Sequence, residues 1–245
     1  MISLEELTEI KTKRKTTLFY EEKEYLQFVF LNAIAKYTDS LIFKGGTCLR
    51  ICFGLERASE DLDFNTTLSK KELKNIIAKA LKDFEFLNIP FEPYSQKEFE
   101  GNLRIEVRLK GPLFMGNPVS SNTLKLDFNK NQPKYTEVKV IQKLFSDVPF
   151  FTLIVMAERE MLPEKIRAMV RRREARDFYD VWVLLNTKVT LDKSLLAIKL
   201  KEEKCRLTDF LPISQKEYEV SLKNLLKFVP PYEQVMREIK EKLNL

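Results

Sequence analysis

The chain contains no histidine in its 245 residues. This absence excludes Ser-His-Asp and Cys-His hydrolases, HExxH metalloproteases and the His-rich metal-dependent phosphohydrolases, because each of these needs imidazole. Any acid–base or metal chemistry must therefore use carboxylates, Lys, Tyr or Cys. Phosphoryl and nucleotidyl transfer are compatible with that set, since metal ions and substrate positioning do most of the catalytic work.

Cysteine is scarce as well, with only Cys48, Cys52 and Cys205. Three cysteines cannot pair completely, and the number is too low for a secreted disulfide scaffold. Cys48 and Cys52 are four residues apart, so they can share one face of a helix. Because no further cysteine lies nearby, we interpret them as buried structural thiols rather than zinc ligands.

Long apolar runs are also missing, and residues 1–17 are polar and charged instead of resembling a signal peptide. We therefore expect a cytoplasmic protein. The net charge of +6 and the isoelectric point near 9.0 favour an acidic partner such as nucleic acid or nucleotide. The length allows one large domain or two small ones.

Apolar periodicity predicts an α+β fold whose second half is entirely helical. Helical spacing over 19–37 puts Leu26, Phe30, Ala33 and Tyr37 on one core face. A short strand, LIFK, then leads into a helix, and Ser69 is predicted to cap a helix that ends at Phe86. Strands are predicted at 102–110, 123–129 and 150–156, and helices at 157–173, 175–186, 192–203, 214–228 and 232–244. The turn NKNQPK predicts that the following EVKVIQKLF pairs back as a hairpin.

A Gly-Gly turn upstream of two closely spaced carboxylates is the most informative pattern. Asp61 and Asp63 alternate with Leu62 in a predicted strand, so both carboxylates project from one face. Paired hard oxygen ligands on one face suit Mg²⁺. Gly45 and Gly46, before a short helix, supply backbone amides that can approach phosphate closely. This combination predicts nucleotidyl transfer, although an isolated Asp-x-Asp is equally often an ordinary solvated pair.

Asp127 is the natural third carboxylate. It lies in the alternating strand TLKLDFN, on the face opposite Leu124, Leu126 and Phe128. Three carboxylates on adjacent strands suit a two-metal site, in which one metal organises the triphosphate and the other acidifies the attacking hydroxyl. An ordinary exposed strand residue would show the same spacing.

The motifs together resemble the AbiEii/AbiGii toxin family of nucleotidyltransferases. The first three are Gly45-Gly46-Thr47, Gly54-Leu55-Glu56-Arg57-Ala58-Ser59 and Asp61-Leu62-Asp63-Phe64. A later stretch, EKIRAMVRRREARDFYDVW over 164–182, has a Glu-Lys pair opening a basic helix that leads into Arg-Asp-x-Tyr-Asp. The resemblance covers most of the chain in the same order, which makes the combination more specific than either part.

This resemblance implies a polymerase-beta-like nucleotidyltransferase palm, a mixed β-sheet with flanking helices over 1–153, followed by an all-helical lobe over 154–245. It also implies the toxin of a type IV-like toxin–antitoxin or abortive-infection pair, with a cognate antitoxin as partner. It makes Asp61 and Asp63 metal ligands, Asp127 either a third metal ligand or the base for the acceptor hydroxyl, and Lys165 a catalytic contact of the nucleotide phosphates. The implied nucleotide-binding residues are Lys44, Gly45, Gly46, Thr47, Arg57, Ser59 and Asp180.

Five arginines fall between positions 167 and 176, a density that can neutralise a triphosphate or an RNA backbone. The same pattern is also typical of a solvated helix face whose arginines pair with Glu174 and Asp177. We predict a Mg²⁺-dependent enzyme that moves a nucleoside monophosphate from an NTP to an acceptor, with the 3′ end of tRNA as the expected acceptor. Transfer to a protein or a small molecule is an alternative, as is a non-catalytic module that binds RNA or an antitoxin.

Overall fold

The computed structural model describes residues 1–92, 95–99 and 102–245. The described helices are α1 (Leu4–Arg14), α2 (Leu18–Ala35), α3 (Gly45–Phe53), α4 (Lys70–Phe86), α5 (Glu158–Arg172), α6 (Ala175–Leu185), α7 (Lys193–Glu202), α8 (Gln215–Lys223) and α9 (Tyr232–Leu243). The described strands are β1 (Leu41–Lys44), β2 (Asp61–Thr66), β3 (Ser95–Phe99), β4 (Asn102–Leu109), β5 (Asn122–Asn129), β6 (Thr136–Ile141) and β7 (Phe151–Met156). Of these elements, the sequence pattern missed α1 and β3.

The described strands form one mixed sheet in the order β3-β4-β5-β2-β1-β7-β6. β2 pairs parallel with β5 and antiparallel with β1, while β1 pairs parallel with β7. The predicted α+β fold with an all-helical C-terminal part is therefore confirmed. In particular, β1 ends at Lys44, directly before the Gly45-Gly46 pair that begins α3.

The predicted hairpin between β5 and β6 is wrong. β6 lies beside β7 at the far edge of the sheet, with β2, β1 and β7 between it and β5. The backbone of Tyr135, just before β6, is bound elsewhere: its N–H donates to Glu160 Oε2 at 2.7 Å and its carbonyl accepts from Ala157 N at 3.0 Å. These bonds hold the segment after β5 on α5 instead of returning it along β5.

A line of aromatic rings crosses the three central strands on one face of the sheet. Phe43 of β1 is the register partner of Phe64 of β2, and Phe64 is the partner of Phe128 of β5. Their ring centroids lie 5.3 and 5.4 Å apart in turn, and the second pair is stacked. Offset and stacked rings add to the free energy of burying their apolar area. This aromatic row is the centre of the sheet's core.

Helix α2 is buried on nearly all sides rather than on one face. Its residues from Glu21 to Leu31 are all buried, which is typical of a helix inside a core. The predicted core residues Leu26, Phe30 and Ala33 are confirmed, but Tyr37 lies beyond the end of the helix and is 39% exposed. The periodicity predicted the helix correctly but underestimated how much of its surface is buried.

The charged residues in this buried helix are held by ion pairs and hydrogen bonds. Arg14 binds Glu21 and Glu24, each at 2.7 Å, and Arg50 binds Glu24 at 3.0 Å. Lys23 donates to the side chain of Asn122 at 3.1 Å and to the backbone carbonyl of the next residue. Burial lowers the pKa of Lys23. Such groups stabilise a fold only when their partners are in place.

Two compact units can be distinguished within the chain. The first comprises residues 1–52, 60–132 and 136–155, and the second comprises residues 53–59, 133–135 and 156–245. The sheet with α1, α2 and α4 belongs to the first unit, and α5 to α9 belong to the second. The division into domains at 153/154 stays a prediction. Among the described helices, none has the length and apolar character needed to cross a membrane.

The aromatic row predicts a large loss of stability when its central ring is removed. Phe64 is 1% exposed, so Phe64→Ala should lower the free energy of unfolding in urea by about 3 to 5 kcal/mol. Phe86→Ala is the matched control, since this ring is 83% exposed and its loss should change stability by less than about 0.5 kcal/mol. Equal effects of the two substitutions would contradict this account of the core.

Candidate active site

The polar face of the central strands carries the predicted carboxylates. Asp63 of β2 is the register partner of Asp127 in β5 and of Lys44 in β1. Register partners project from the same face, so these three side chains lie in one row across the sheet. Asp61 lies two residues earlier on β2 and shares that face. The sequence prediction that these carboxylates share one face is therefore matched by the strand register.

Arg104 of β4 extends this row beyond Asp127. It is the register partner of Asp127, and its Nε and Nη2 donate to the two carboxylate oxygens at 2.8 and 2.9 Å. The hydrogen bond and charge of Asp127, together with the more distant Asp61, raise the pKa of Arg104. We call Lys44, Asp63, Asp127 and Arg104 the charge row. It has two carboxylates in the middle and one cation at each end.

A second row runs parallel to it, two residues along each strand. Asp61 is the register partner of Lys125, and Lys125 is the partner of Glu106 in β4. Sequence reasoning did not select Arg104, Lys125 or Glu106 for the site. The alternation of NLRIEVRLK put Arg104 and Glu106 on a polar face, but only the register shows which carboxylates they meet.

Gly45 is needed for the position of Asp63. It begins α3 with a φ of +81°, a left-handed conformation that side chains with a Cβ adopt at a cost. A Cβ at this position would lie 2.4 Å from Oδ2 of Asp63. The carboxylate therefore packs directly against the glycine backbone.

Thr47 joins the first turn of α3 to β2. It is completely buried, and its hydroxyl donates to the backbone carbonyl of Asp61 at 2.5 Å. Gly46, between Gly45 and Thr47, is buried as well. The predicted phosphate-binding turn is thus tied to the strand that carries two predicted metal ligands.

The other predicted site residues lie in the second unit. Asp180 of α6 is completely buried, and Arg57 donates to it twice, from Nε to Oδ1 at 2.5 Å and from Nη2 to Oδ2 at 2.7 Å. Lys165 of α5 reaches the same Oδ2 at 2.6 Å. Arg57 is itself anchored, because its Nη1 donates to the carbonyl of Ala58 at 2.9 Å. Ser59 lies half-buried in the same segment.

Asp177 and Asp180, one helical turn apart, have different surroundings. Burial raises the pKa of Asp177, against the opposing attraction of Lys165 at 4.0 Å and Arg172 at 2.8 Å. Burial alone would also raise the pKa of Asp180, but the charges and hydrogen bonds of Lys165 and Arg57 outweigh it and lower the pKa. Asp180 is also the carboxylate that Lys165 approaches more closely, at 2.6 Å.

The basic stretch after Lys165 contains several ion pairs. Arg172 binds Asp177 at 2.8 Å and Arg176 binds Glu174 at 2.6 Å, which are the two acidic partners that the sequence suggested for a solvated face. Arg167 contacts Glu202 at 3.5 Å. The side chains of Arg172 and Arg176 nonetheless remain 47% and 45% exposed. Their ion pairs therefore lie partly in solvent.

The oxygen ligands of the charge row fit a hard divalent cation in their chemistry. Within the described ranges, no three His, Cys, Asp or Glu side chains converge as a complete metal site. Both oxygens of Asp127 instead bind the guanidinium of Arg104. The guanidinium of Arg104 thus places a positive charge beside Asp127. The carboxylate oxygens of the row are also the ligands that Mg²⁺ prefers.

Comparison with known proteins agrees with the fold and the motifs. A sequence model described as "Nucleotidyl transferase AbiEii toxin, Type IV TA system" matches residues 29–243. The structure is similar to MenT4, a nucleotidyltransferase toxin of Mycobacterium tuberculosis H37Rv, with a TM-score of 0.71 and 19% identity over 98% of this chain and 90% of that one. It is also similar to JHP933 of Helicobacter pylori, with a TM-score of 0.61 and 22% identity over 90% of this chain and 88% of that one. No curated protein matches the chain.

The fold and the family match define the class of the protein as a nucleotidyltransferase. The chain belongs to the AbiEii family of nucleotidyltransferase toxins, from type IV toxin–antitoxin systems. The resemblance drawn from the short motifs is therefore confirmed.

The contact between Gly45 and Asp63 predicts an effect on activity that exceeds the effect on stability. Gly45→Ala and the control Gly54→Ala both place a Cβ at positive φ, and each should cost about 1 to 2 kcal/mol in urea unfolding. Only the alanine at 45 meets a carboxylate, because nothing lies within 4 Å of a Cβ at 54. We expect Gly45→Ala to reduce nucleotide transfer by about 100-fold. A similar rate for both variants would rule out this contact as a determinant of the site.

The buried pair of Arg57 and Asp180 predicts a loss of stability that depends on pH. Arg57→Met leaves Asp180 with Lys165 as its remaining cation among the described residues and should lower the free energy of unfolding by about 3 kcal/mol or more at pH 7. Arg176→Met, from an exposed pair, should cost less than about 1 kcal/mol.

The pH dependence follows from the lowered pKa of Asp180. Its ionised form stabilises the fold above the unfolded-state pKa of about 3.9, and that contribution is lost as the pH falls through the lower folded-state value. Without Arg57 the folded-state pKa rises, so the acid-unfolding midpoint of Arg57→Met should move to higher pH. Acid titrations followed by circular dichroism measure this shift, and an unchanged midpoint would contradict it.

Proposed function

We propose that this protein transfers a nucleoside monophosphate from an NTP to an acceptor hydroxyl in a Mg²⁺-dependent reaction, with the 3′ end of tRNA as acceptor. The observation that carries the proposal is the charge row, in which Asp63 and Asp127 lie between Lys44 and Arg104. Central carboxylates suit a divalent cation, and the flanking cations suit the phosphates of an NTP. Membership in a nucleotidyltransferase toxin family supports the same chemistry.

In this reaction Asp61 and Asp63 hold the metal. Asp127 is the third carboxylate, either as a further ligand or as the acceptor of the hydroxyl proton. Bound Mg²⁺ supplies positive charge that offsets the triphosphate and acidifies the attacking hydroxyl. Without histidine in the chain, the carboxylates are the natural proton acceptors.

The triphosphate is bound by backbone amides and by lysine. Gly45 and Gly46 present the amides of the first turn of α3, and Lys44 precedes them at the end of β1. Thr47 contributes through its backbone, because its hydroxyl is bonded to the carbonyl of Asp61. Separately, Lys165 in the second unit is proposed to bind phosphate as a point charge.

Arg57 and Asp180 act on Lys165 in this proposal. Asp180 has no exposed surface, and its two oxygens bind Arg57 and Lys165. Arg57 and Asp180 are therefore assigned as positioning residues that fix the ammonium of Lys165, in place of the direct nucleotide contacts implied by the resemblance. Ser59 keeps its proposed contact with the nucleotide.

The bonds exchanged are those of an in-line displacement. The acceptor oxygen attacks the α-phosphorus, the bond from that phosphorus to the oxygen bridging the β-phosphate breaks, and pyrophosphate leaves. The proton of the hydroxyl passes to Asp127 or to solvent. Positioning and electrostatic stabilisation of the pentacoordinate phosphorus account for the rate.

The choice of tRNA as acceptor is supported by charge. The chain carries a net charge of +6, and Arg172 and Arg176 of the second unit, the helical unit, are partly exposed. Such a surface favours a polyanion over a cationic small molecule. A cognate antitoxin is the second proposed partner, since the family belongs to toxin–antitoxin systems.

The test uses the purified protein with total tRNA, Mg²⁺ and each α-³²P-labelled NTP in turn, resolved on a denaturing gel. Label on tRNA from one NTP is the expected result. Replacing both Asp61 and Asp63 by Asn should lower transfer by about 100-fold or more, whereas the exposed Asp39→Asn should leave it unchanged. The same double variant should also relieve growth inhibition at matched expression.

Other outcomes of this assay would support one of the alternative functions. Label on a protein band would replace the RNA acceptor with a protein side chain. Transfer that survives loss of both carboxylates would disprove the metal-dependent mechanism. Salt-sensitive tRNA binding without transfer by any NTP would leave a binding protein.

A further inference from the structure

Arg104 forms an ion pair with Asp127, but its side chain is only partly buried. Its side chain is 38% exposed, while that of Asp127 is 10% exposed. Among the residues that the structure describes, the guanidinium donates to this carboxylate through two parallel N–H groups. An arginine in this setting can leave its partner without opening the sheet, since its exposed half already contacts solvent.

The pair compensates a repulsion that the strand register creates. Asp63 and Asp127 are register partners on adjacent parallel strands, whose backbones lie about 4.8 Å apart. Two carboxylates that close on one face repel each other unless a cation lies beside them. Arg104 supplies a cation beside Asp127, as Lys44 does beside Asp63, and Asp61 attracts Arg104 as well.

A divalent ion would satisfy the same carboxylates in the same way. A guanidinium that binds both oxygens of Asp127 covers the edge on which a metal would be coordinated. In addition, a divalent ion and a guanidinium repel each other at this distance. Occupancy of Asp127 by one cation therefore disfavours the other.

We propose that Arg104 and the divalent cation compete for Asp127, so that Arg104 sets the metal affinity of the site and releases Asp127 when the metal binds. The inference rests on the proposed function, because it takes Asp61, Asp63 and Asp127 as the metal site. It gives Arg104 a role that the short motifs do not assign. Without nucleotide, the carboxylates are kept neutralised and the metal is held weakly.

The experiment measures Mn²⁺ binding to the full chain without nucleotide, by electron paramagnetic resonance of free Mn²⁺ and by calorimetry. Arg104→Gln should lower the Kd for Mn²⁺ by about fivefold or more, the range of a typical coupling between two sites. Arg108→Gln is the control. Arg108 lies on the same strand face as Arg104 and pairs with Glu92 at 3.3 Å, and its replacement by Gln removes the same charge. Its Kd should stay within about twofold of the wild-type value.

Two further variants separate competition from a general change of charge. In Arg104→Gln combined with Asp127→Asn, the gain in Mn²⁺ affinity should disappear, because Asp127 is the carboxylate that was released. Arg104→Lys keeps the charge but loses the two-point contact, so its Kd should lie between those of wild type and Arg104→Gln. Circular dichroism confirms that each variant is folded.

The outcomes distinguish this inference from the proposed function. If Arg104→Gln binds Mn²⁺ no more tightly than Arg108→Gln, or does not bind it at all, competition by Arg104 is disproved. A gain in Mn²⁺ affinity that persists when Arg104→Gln is combined with Asp127→Asn also disproves the competition. Neither result bears on nucleotide transfer by the wild-type protein, which the tRNA-labelling assay tests. Conversely, tighter Mn²⁺ binding by Arg104→Gln, in a protein that transfers no nucleotide, would support the competition and refute the proposed reaction.

Discussion

The register of β2 between β1 and β5 is the constraint on which the sheet and the charge row both depend. Side chains alternate along a strand, so the pairing that aligns Phe43, Phe64 and Phe128 on one face also aligns Asp63 with Asp127 on the other. A shift of one residue would exchange the two faces, placing carboxylates in the core and aromatic rings in solvent. The apolar core thereby fixes where the candidate catalytic groups lie. Gly45 also determines where Asp63 lies, because a residue without a Cβ leaves the space that the Asp63 carboxylate occupies.

The α+β fold and the shared face of Asp61 and Asp63 could be predicted from the sequence, since both follow from local periodicity. Asp127 could be placed on a polar face in the same way, but its neighbours could not. Arg104 meets Asp127 because of the register between β4 and β5, which no local pattern encodes. The position of β6 was mispredicted for a related reason: a polar turn suits a hairpin, but the bonds of Tyr135 to α5 direct the chain away from β5.

In the helical unit the motifs identified the residues but not their arrangement. Arg57 and Asp180 are separated by 123 positions, and their two hydrogen bonds place them together in the interior. A sequence pattern can mark both residues as conspicuous without showing that each is the other's partner. These contacts are the reason that we propose Arg57 and Asp180 as groups that hold Lys165 in place, instead of as nucleotide contacts. Both carboxylates lie near Lys165, at 4.0 Å for Asp177 and 2.6 Å for Asp180, but Asp177 pairs with Arg172 and Asp180 with Arg57, a difference that helical spacing alone could not reveal.

The ion pairs of α2 have a consequence for ionic strength. Glu21 and Glu24 are buried, and salt screens buried charges much less than exposed ones. The contacts of Arg14 and Arg50 with this helix should therefore persist in buffers that weaken binding to a nucleic acid backbone. If the acceptor is the proposed tRNA, a loss of activity with added salt reports on the encounter with that polyanion rather than on unfolding. Salt dependence then becomes a direct measure of how many phosphates the protein neutralises.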